Sequence, residues 1–395
     1  MKRWWLTLML GLMAVAARPV RAQVPEVEGA AEGAAAGVPG PPIPADMMAP
    51  GFEPNLNVWE EPQIVPGEPW ALVGIEYLRY YLRKDDYNGF LINNGPGTAP
   101  LIGLDDGLQN SQNGGRVTLI VAPTSPVPVE FSGFWVHERG GQQFLSPPLT
   151  PARVVNAVNL GALESIPAGV PGVTTGNNGL DYQTDFYGGE ANVYVTRNIF
   201  LGGRYLALNE RCRLYNDNGT AAPFAGSTFV TDDIQTLNEL YGGQIGVRGD
   251  FNMGPILVEL KAKMLMGYMK RTVDIIGNTA TVNPDGSIAA IPAGIQAVAS
   301  NSGNFRDNKF GYVPDLSVNF QIPVFEWFQV VVGYNFLYWQ NVVRPGEQYD
   351  INVDTRQVPT SPNFVPGLTA GQPSFQNRRS DLWVHGLNVG LAFIY

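Results

Sequence analysis

The chain ends with the stretch LWVHGLNVGLAFIY, residues Leu382–Tyr395, in which large apolar side chains alternate with small or polar ones. The large ones share one parity: Trp383, Leu387, Val389, Leu391, Phe393 and Tyr395. Because successive side chains of a strand point to opposite faces, the stretch predicts a strand with one apolar face. Chain ends usually fray and are polar, so this face calls for an apolar environment.

The composition favours strands and turns over a charge-rich helical protein. The chain has 395 residues, of which 46 are Gly, 32 are Pro and 15% are charged. The net charge of -10, without a basic stripe, argues against nucleic acid as a partner. Cys212 is the only cysteine, so no internal disulfide is expected. After the N-terminal segment no run of 18 apolar residues occurs, which argues against a membrane-crossing helix.

The N-terminal residues predict export. Residues 1–22 read as a signal peptide, with Lys2 and Arg3 before an apolar run and Val20-Arg21-Ala22 as the cleavage site. An uncleaved anchor is the alternative, but the apolar run of about 14 residues is shorter than a spanning helix requires. Residues 23–69 are rich in Pro, Ala, Gly and Glu and predict a disordered spacer. The folded domain is expected over residues 70–395.

Alternating segments fill this domain. In EWFQVVVGYNFLYWQ, residues 326–340, the apolar parity runs from Phe328 to Tyr338, while Gln329, Gly333 and Asn335 lie on the other face. The predicted strands are residues 70–83, 116–122, 127–138, 182–196, 199–211, 235–250, 255–270, 308–322, 325–340 and 381–395. A soluble sandwich would carry its charges on the outer face and have shorter strands. Here the strands are long, one face is continuously apolar and the other face carries the charges, as in a barrel whose outer surface faces lipid.

The connections between these segments alternate in length. Five are long, residues 84–115, 139–180, 212–234, 271–307 and 341–380, and the four between them are short. Outer-membrane barrels have short periplasmic turns and long external loops, and an even strand number puts both termini on one side. The sequence therefore predicts an all-β protein, a single closed antiparallel transmembrane β-barrel of about ten strands, with eight to twelve possible. Both termini should be periplasmic, the last strand should pair with the first, and Pro314 should mark a bulge or another distortion of its strand.

Several stretches carry a family resemblance. They are WALVGIEYLRYYLR (Trp70–Arg83), FYGGEANVYVTRNIFLGGRYLALNE (Phe186–Glu210), LYGGQIGVRGDF (Leu240–Phe251), VGYNFLYWQNVVRPGEQ (Val332–Gln348) and SDLWVHGLNVGLAFIY (Ser380–Tyr395). On these blocks the chain resembles the putative beta-barrel porin-7 family of bacterial outer-membrane proteins. The resemblance implies a barrel in the outer membrane, with membrane lipid as its surroundings. The final Phe393 and Tyr395 are similar to the signal that the barrel assembly machinery reads.

If the apolar parity faces lipid, the opposite parity lines the lumen. Its charged members are Glu76, Glu130, Glu190, Arg204, Arg248, Glu259, Lys261, Lys263 and Asp315. Acids and bases interleave, so ion pairs between strands are expected. A barrel of about eight strands is filled by its own side chains, whereas an aqueous channel needs about 16 to 18 strands. We therefore expect a lumen largely occupied by a paired polar network, with room for no more than a narrow water path. The network either holds the barrel shape or selects a small solute, and Arg344–Gln348 is expected to cap the mouth.

Two classes of function remain open from the sequence. The first is a narrow porin passing small solutes, or a largely filled structural barrel. The alternative is a surface recognition or adhesion protein that binds through its five long external loops. Enzymatic activity is not expected, because the two histidines, His137 and His385, lack a catalytic serine arrangement and the chain has no HExxH, paired CxxC or phosphate-binding loop. No catalytic, cofactor-binding or metal-binding residue is predicted.

Overall fold

The computed structural model describes residues 69–83, 90–93, 100–103, 111–146, 154–159, 162–167, 174–220, 226–350, 352–369 and 371–395. The predicted signal peptide, and the predicted spacer up to residue 68, lie outside these ranges. Both predictions therefore stay predictions.

Ten antiparallel strands form a closed barrel. They are β1 (Ala71–Leu82), β2 (Gln112–Val121), β3 (Val129–Ser146), β4 (Thr174–Tyr194), β5 (Ile199–Thr220), β6 (Ser227–Met253), β7 (Ile256–Val282), β8 (Gly303–Phe325), β9 (Phe328–Val342) and β10 (Ser380–Ile394). Each pairs with the strands before and after it, and β10 pairs with β1 to close the sheet, with Gly390 opposite Glu76. The predicted fold class, strand number and closure are confirmed.

The C-terminal strand has the predicted faces. Trp383, Leu387 and Val389 are exposed on the outside, whereas Gly386 and Asn388 are buried on the inside. The small inward residues let the wall pack closely against its own lumen side chains. The apolar surface that opened the sequence analysis is thus the outer surface of the barrel.

All short connections lie at one end of the barrel, which we call the short-turn end. They are residues 122–128, 195–198, 254–255 and 326–327. The two chain ends of the barrel meet there, since the Trp70 amide donates a 2.8 Å hydrogen bond to the Tyr395 carbonyl. The other connections lie at the opposite end, which we call the long-loop end.

Several strands are much longer than predicted. β6 and β7 have 27 residues each, although a bilayer needs about 9 to 11. Most of residues 212–234 and 271–307 is therefore strand, so the prediction that these two ranges are loops was wrong. The cause is a change of environment along one strand. Beyond the lipid level the outer face becomes polar, and the apolar side chains, such as Val273 and Ile275, point inward.

Pro314 does not mark a bulge. It stays in register with Met264 of β7, so there is no bulge on that side. The pairing of β8 with β9 reaches Asp315 and goes no further towards Pro314, so the missing amide N–H of Pro314 breaks no bond to β9. The register shift of β8 lies instead between Pro323 and Phe325.

The remaining elements belong to the long connections. A separate four-stranded sheet contains Phe90–Asn93, Pro100–Gly103, Val154–Asn159 and Ala162–Pro167. Ile288–Ile291 pairs with the end of β7. The connection between β9 and β10 contains two 3-10 turns, Gly346–Gln348 and Thr355–Gln357. Within the described ranges, no helix has the length and hydropathy required to cross a membrane.

Candidate functional site: the barrel lumen

The inward face changes character along the barrel axis. On β5, beyond Phe200 and Gly202 next to the short turn, the inward residues are Arg204, then Leu206 and Leu208, then Glu210 and Cys212. The other long strands repeat this order. The lumen therefore has three zones, which we call the charged layer, the apolar layer and the loop core.

The charged layer surrounds a cavity of about 190 Å³. Pro123 and Pro128 of the first short turn line it too, which places it at the short-turn end. Its ten charged side chains are Glu76, Arg116, Glu130, Glu190, Arg204, Arg248, Glu259, Lys261, Lys263 and Asp315. The structure thus brings all nine predicted lumen residues to one cavity.

Arg116 is the residue that sequence reasoning missed. The predicted second strand began at this position, and Arg116 shares its parity with Thr118, which also lines the cavity. Applying the parity count to this first residue of the predicted strand would have found it. With Arg116 included, the layer contains five basic and five acidic groups, so its formal charge is zero.

Four of these side chains form a compact cluster. Lys263 Nζ lies 3.0 Å from Glu190 and 3.5 Å from Asp315, while Arg204 lies 2.7 Å from Asp315 and 3.5 Å from Glu190. Each cation contacts both acids, and all four side chains are nearly buried. Such mutual pairing offsets the cost of removing four charges from water.

A second cluster lies beside it. Lys261 Nζ is 2.9 Å from Glu130 and 3.5 Å from Glu259, and Arg248 Nε is 3.1 Å from Glu259. The Tyr194 hydroxyl donates a 3.1 Å hydrogen bond to Glu130. Glu130 and Glu259 therefore each contact at least one cation, and hydrogen bonds add to these ion pairs.

Arg116 and Glu76 complete the pairing at 3.4 Å. Arg116 also donates a 2.6 Å hydrogen bond to the Tyr80 hydroxyl, and Asn388 donates one of 2.7 Å to Glu76. Every charged group of the layer thus has an opposite partner within 3.5 Å. A layer of paired charges presents no strong field of one sign to a passing ion.

An inward glycine makes room for the amide side chains of this layer. A Cβ at Gly333 would lie 2.0 Å from Asn319 Oδ1 and 2.7 Å from Asn388 Oδ1. We expect Gly333→Ala to destabilise the protein by about 1–3 kcal/mol because neighbours must shift. Gly74→Ala is the control, since its new Cβ would find no atom closer than 3.8 Å. Urea unfolding in detergent measures both, and equal losses would contradict this account.

The apolar layer closes the lumen above the charged layer. It consists of sixteen buried side chains: Leu78, Tyr80, Leu82, Val136, Phe186, Leu206, Leu208, Leu240, Leu265, Met269, Val313, Leu337, Trp339, Val342, Leu382 and Val384. Nine of the ten strands contribute to this one cluster, so it extends across the lumen. The cavity beside it, lined by Tyr80 and Leu337, has about 20 Å³, room for about one water molecule. The expected paired polar network is therefore present in the charged layer, whereas the next zone of the lumen is apolar.

The loop core contains the connection between β9 and β10, which folds inward. Residues Val343–Asp350 are buried, so the predicted capping segment Arg344–Gln348 lies inside the barrel extension. Arg344 donates to both oxygens of Glu210, at 2.9 and 2.6 Å, and these side chains are 3% and 0% exposed. Asn238 forms two 2.8 Å hydrogen bonds with the backbone of Val343. Two dedicated polar residues of the wall thus anchor the segment.

Residues 293–298 of the connection between β7 and β8 fold inward as well. The buried Asp232 carboxylate accepts backbone hydrogen bonds from Ile295, Gln296 and Ala297, at 2.9, 3.0 and 2.8 Å. Apolar side chains of both inward connections, among them Val298, Tyr349, Val353 and Val358, pack against Leu214 and Ile234 of the wall. In the same β9–β10 connection, the side-chain hydrogen bond from Arg356 holds the pKa of Asp354 below its ordinary value.

Neither histidine is part of a catalytic arrangement in the described ranges. His137 Nδ1 lies 2.5 Å from Asp185 on the outer face. His385 stacks on Tyr81 with ring centroids 5.5 Å apart, and its Nδ1 lies 2.8 Å from the Tyr334 hydroxyl. No group of three or more His, Cys, Asp or Glu side chains is placed to hold a metal in the part of the chain that is described.

The sequence model of the family described as Putative beta barrel porin-7 (BBP7) matches residues 84–395. The chain belongs to this family. This finding agrees with the resemblance carried by the C-terminal blocks. In this porin-7 family member, Phe393 packs on Phe328 with ring centroids 5.4 Å apart, and Tyr395 lies 6.5 Å from the Trp70 ring. Both terminal aromatic residues are therefore at the short-turn end, and Tyr395 lies beside the β1–β10 seam.

Two solved structures are similar to the porin-7 chain at low TM-scores. The outer membrane protease OmpT from Escherichia coli has a TM-score of 0.34 at 10% identity, with 84% of this chain and 98% of that one covered. The TodX deltaS2S3 mutant monoaromatic hydrocarbon channel has a TM-score of 0.18 at 8% identity, with 84% and 91% covered. No curated protein sequence matches the chain.

Proposed function

We propose that this protein is an integral outer-membrane β-barrel whose lumen is occluded, so that it does not conduct solutes in this state and performs no catalysis. Its signal peptide directs export, its short-turn end faces the periplasm, and its terminal Phe393 and Tyr395 are read by the assembly machinery. The single observation that carries the proposal is the apolar layer, which nine strands build across the lumen.

The energetics support an occluded lumen. An ion that enters from the short-turn end reaches the cavity of the charged layer and then meets buried aliphatic and aromatic side chains. Transfer of an unpaired ion into such surroundings costs many kcal/mol. Above this layer the loop core adds a second obstruction, fixed by the Arg344–Glu210 pair. The narrow-porin hypothesis requires both obstructions to move.

Liposome swelling tests the proposal. We expect liposomes that contain the folded protein to swell in isotonic solutions of small sugars or amino acids at the rate of protein-free liposomes. Heat-modifiable migration on a detergent gel checks that the barrel is folded in the same preparation. A swelling rate that increases with the amount of protein and decreases with solute size would favour a narrow porin with small-solute cargo instead.

One observation favours a second function, surface recognition through the long-loop end. The connections after β1 and β3 contribute the four short strands of a separate sheet at that end. Loops on a rigid scaffold commonly carry binding function. Replacing residues 147–173 with a short Gly/Ser linker should leave heat-modifiable migration unchanged. Loss of cell adhesion to a surface in this variant would support recognition, and unchanged adhesion would count against it.

A further inference from the structure

The outer face where β10, β1 and β2 adjoin carries an aromatic belt near the long-loop end. Tyr77 and Trp383 are 52% and 51% exposed there, and Tyr81 lies opposite His385 in the strand register. Aromatic side chains on the outer surface of a membrane barrel mark the level of the lipid headgroups. Polar groups at this level are therefore placed to meet headgroups.

Two arginines of β1 belong to this belt. Arg79 lies between Tyr77 and Tyr81 and is exposed. The Arg83 guanidinium lies 5.8 Å from the Trp383 ring centroid and donates a 3.0 Å hydrogen bond to the Asp381 carbonyl. Both side chains point outward. Because the two residues are four positions apart on one strand, their Cα atoms are about 13 Å apart. Arg83 is held in place, whereas Arg79 projects from the surface.

Neutral donors flank Arg79. Its Nη2 lies 3.4 Å from the Ser111 hydroxyl. The neighbouring Asn113 accepts a 2.5 Å hydrogen bond from the Tyr77 hydroxyl through its Oδ1. Its side-chain amide N–H groups therefore point away from Tyr77 and are donors. A guanidinium, a hydroxyl and an amide thus lie together at headgroup level.

The belt on the opposite wall is different. There Lys270 pairs with Glu239 at 3.0 Å, and the Tyr241 hydroxyl donates a 2.9 Å hydrogen bond to the same carboxylate. This cation is neutralised by a neighbouring acid. Among the described residues, Arg79 forms its side-chain hydrogen bond with Ser111, and no carboxylate lies within ion-pair distance of its guanidinium. Within the described part of the chain, this surface therefore presents a cation that has no acidic partner, although the net charge is -10.

We propose that Arg79, Ser111 and Asn113 bind the phosphate headgroup of an anionic membrane lipid. The planar guanidinium and the two neutral donors match the oxygens of a phosphate group, and charge-assisted hydrogen bonds of this kind are strong. Below them the apolar outer face, with Ile75 exposed, accommodates the acyl chains. The site is independent of whether the lumen conducts, and it requires only the membrane position of the barrel.

Lipid titration of the purified full-length protein in neutral detergent tests the site, with native mass spectrometry as the readout. We expect dioleoyl phosphatidic acid to bind at least tenfold more tightly than dioleoyl phosphatidylcholine. Arg79→Gln should weaken phosphatidic acid binding about tenfold, whereas Lys270→Gln, a cation of the opposite belt, should leave it unchanged. Equal affinity for the two lipids, or an equal loss in both variants, would overturn the assignment.

Two additions keep the test decisive. Asn113→Ala removes a neutral donor without changing charge and should weaken binding by a smaller factor, which provides a second variant if Arg79→Gln does not fold. Inorganic phosphate at the same concentration should not displace the bound lipid. Complete displacement by phosphate would show that the surface recognises a free anion and would overturn the lipid assignment.

Discussion

Replacing Arg344 with alanine is expected to destabilise the folded protein by about 3–5 kcal/mol, one of the largest effects of any single substitution in the chain. The cause is the fully buried Glu210, which would lose both hydrogen bonds from the guanidinium and keep only the 3.0 Å bond from the Tyr182 hydroxyl. Its charge would then be almost uncompensated away from water. Urea unfolding in detergent micelles, followed by far-UV circular dichroism, measures the loss.

Two variants separate this effect from a general sensitivity to arginine removal. Arg356→Ala breaks an ion pair in which the arginine is 59% exposed, and should destabilise the protein far less than Arg344→Ala does. The double replacement Glu210→Leu and Arg344→Met removes both charges and should recover most of the stability lost in Arg344→Ala. A loss below about 1 kcal/mol in Arg344→Ala would show that the pair does not anchor the loop core.

Trp339→Ala is expected to have a comparable effect, about 3–5 kcal/mol, because it leaves a cavity in the middle of the apolar layer. Trp339 is 0% exposed and is the largest of the fully buried side chains. The matched control is Trp327→Ala, since Trp327 is exposed at the short-turn end and its removal creates no internal cavity. The same unfolding measurement applies, and equal losses in the two variants would contradict the proposed packing.

A third substitution at this position refines the comparison. The Trp339 indole N–H is buried and has no hydrogen-bond partner among the described residues. Trp339→Phe removes this unsatisfied donor while keeping an aromatic ring, and we expect it to cost less than about 1.5 kcal/mol. A loss as large as that of alanine would indicate that the indole nitrogen is bonded in the folded protein.

Sequence alone predicted the strands well where lipid imposes the pattern. On β7 the outer parity is apolar from Leu260 to Tyr268, and there the predicted strand agrees with the structure. Beyond it, Thr272 and Asp274 take the outer positions, whereas Val273 and Ile275 are buried inside. The side chains still alternate, but in this part of the strand the polar ones face outward and the apolar ones face the lumen. A search for an apolar outer face therefore ends the strand near residue 270.

The lumen was predicted only in part for two physical reasons. Parity identified which charges point inward, but partners such as Arg204 and Asp315 lie on β5 and β8, and the closure of the barrel determines their meeting. The apolar layer was missed because apolar side chains were assigned to lipid. Leu206 and Leu208 have the inward parity of Arg204, and continuing the parity count would have placed them in the lumen.

Conductance of the wild-type protein in a planar lipid bilayer tests the central claim, the occluded lumen, most directly. The folded protein, verified by heat-modifiable migration, is expected to insert without producing discrete current steps. The expected reason is that sixteen buried apolar side chains block the path between the charged layer and the long-loop end. Uniform, sustained single-channel steps from the wild-type protein, at an amplitude that scales with salt concentration, would contradict the account.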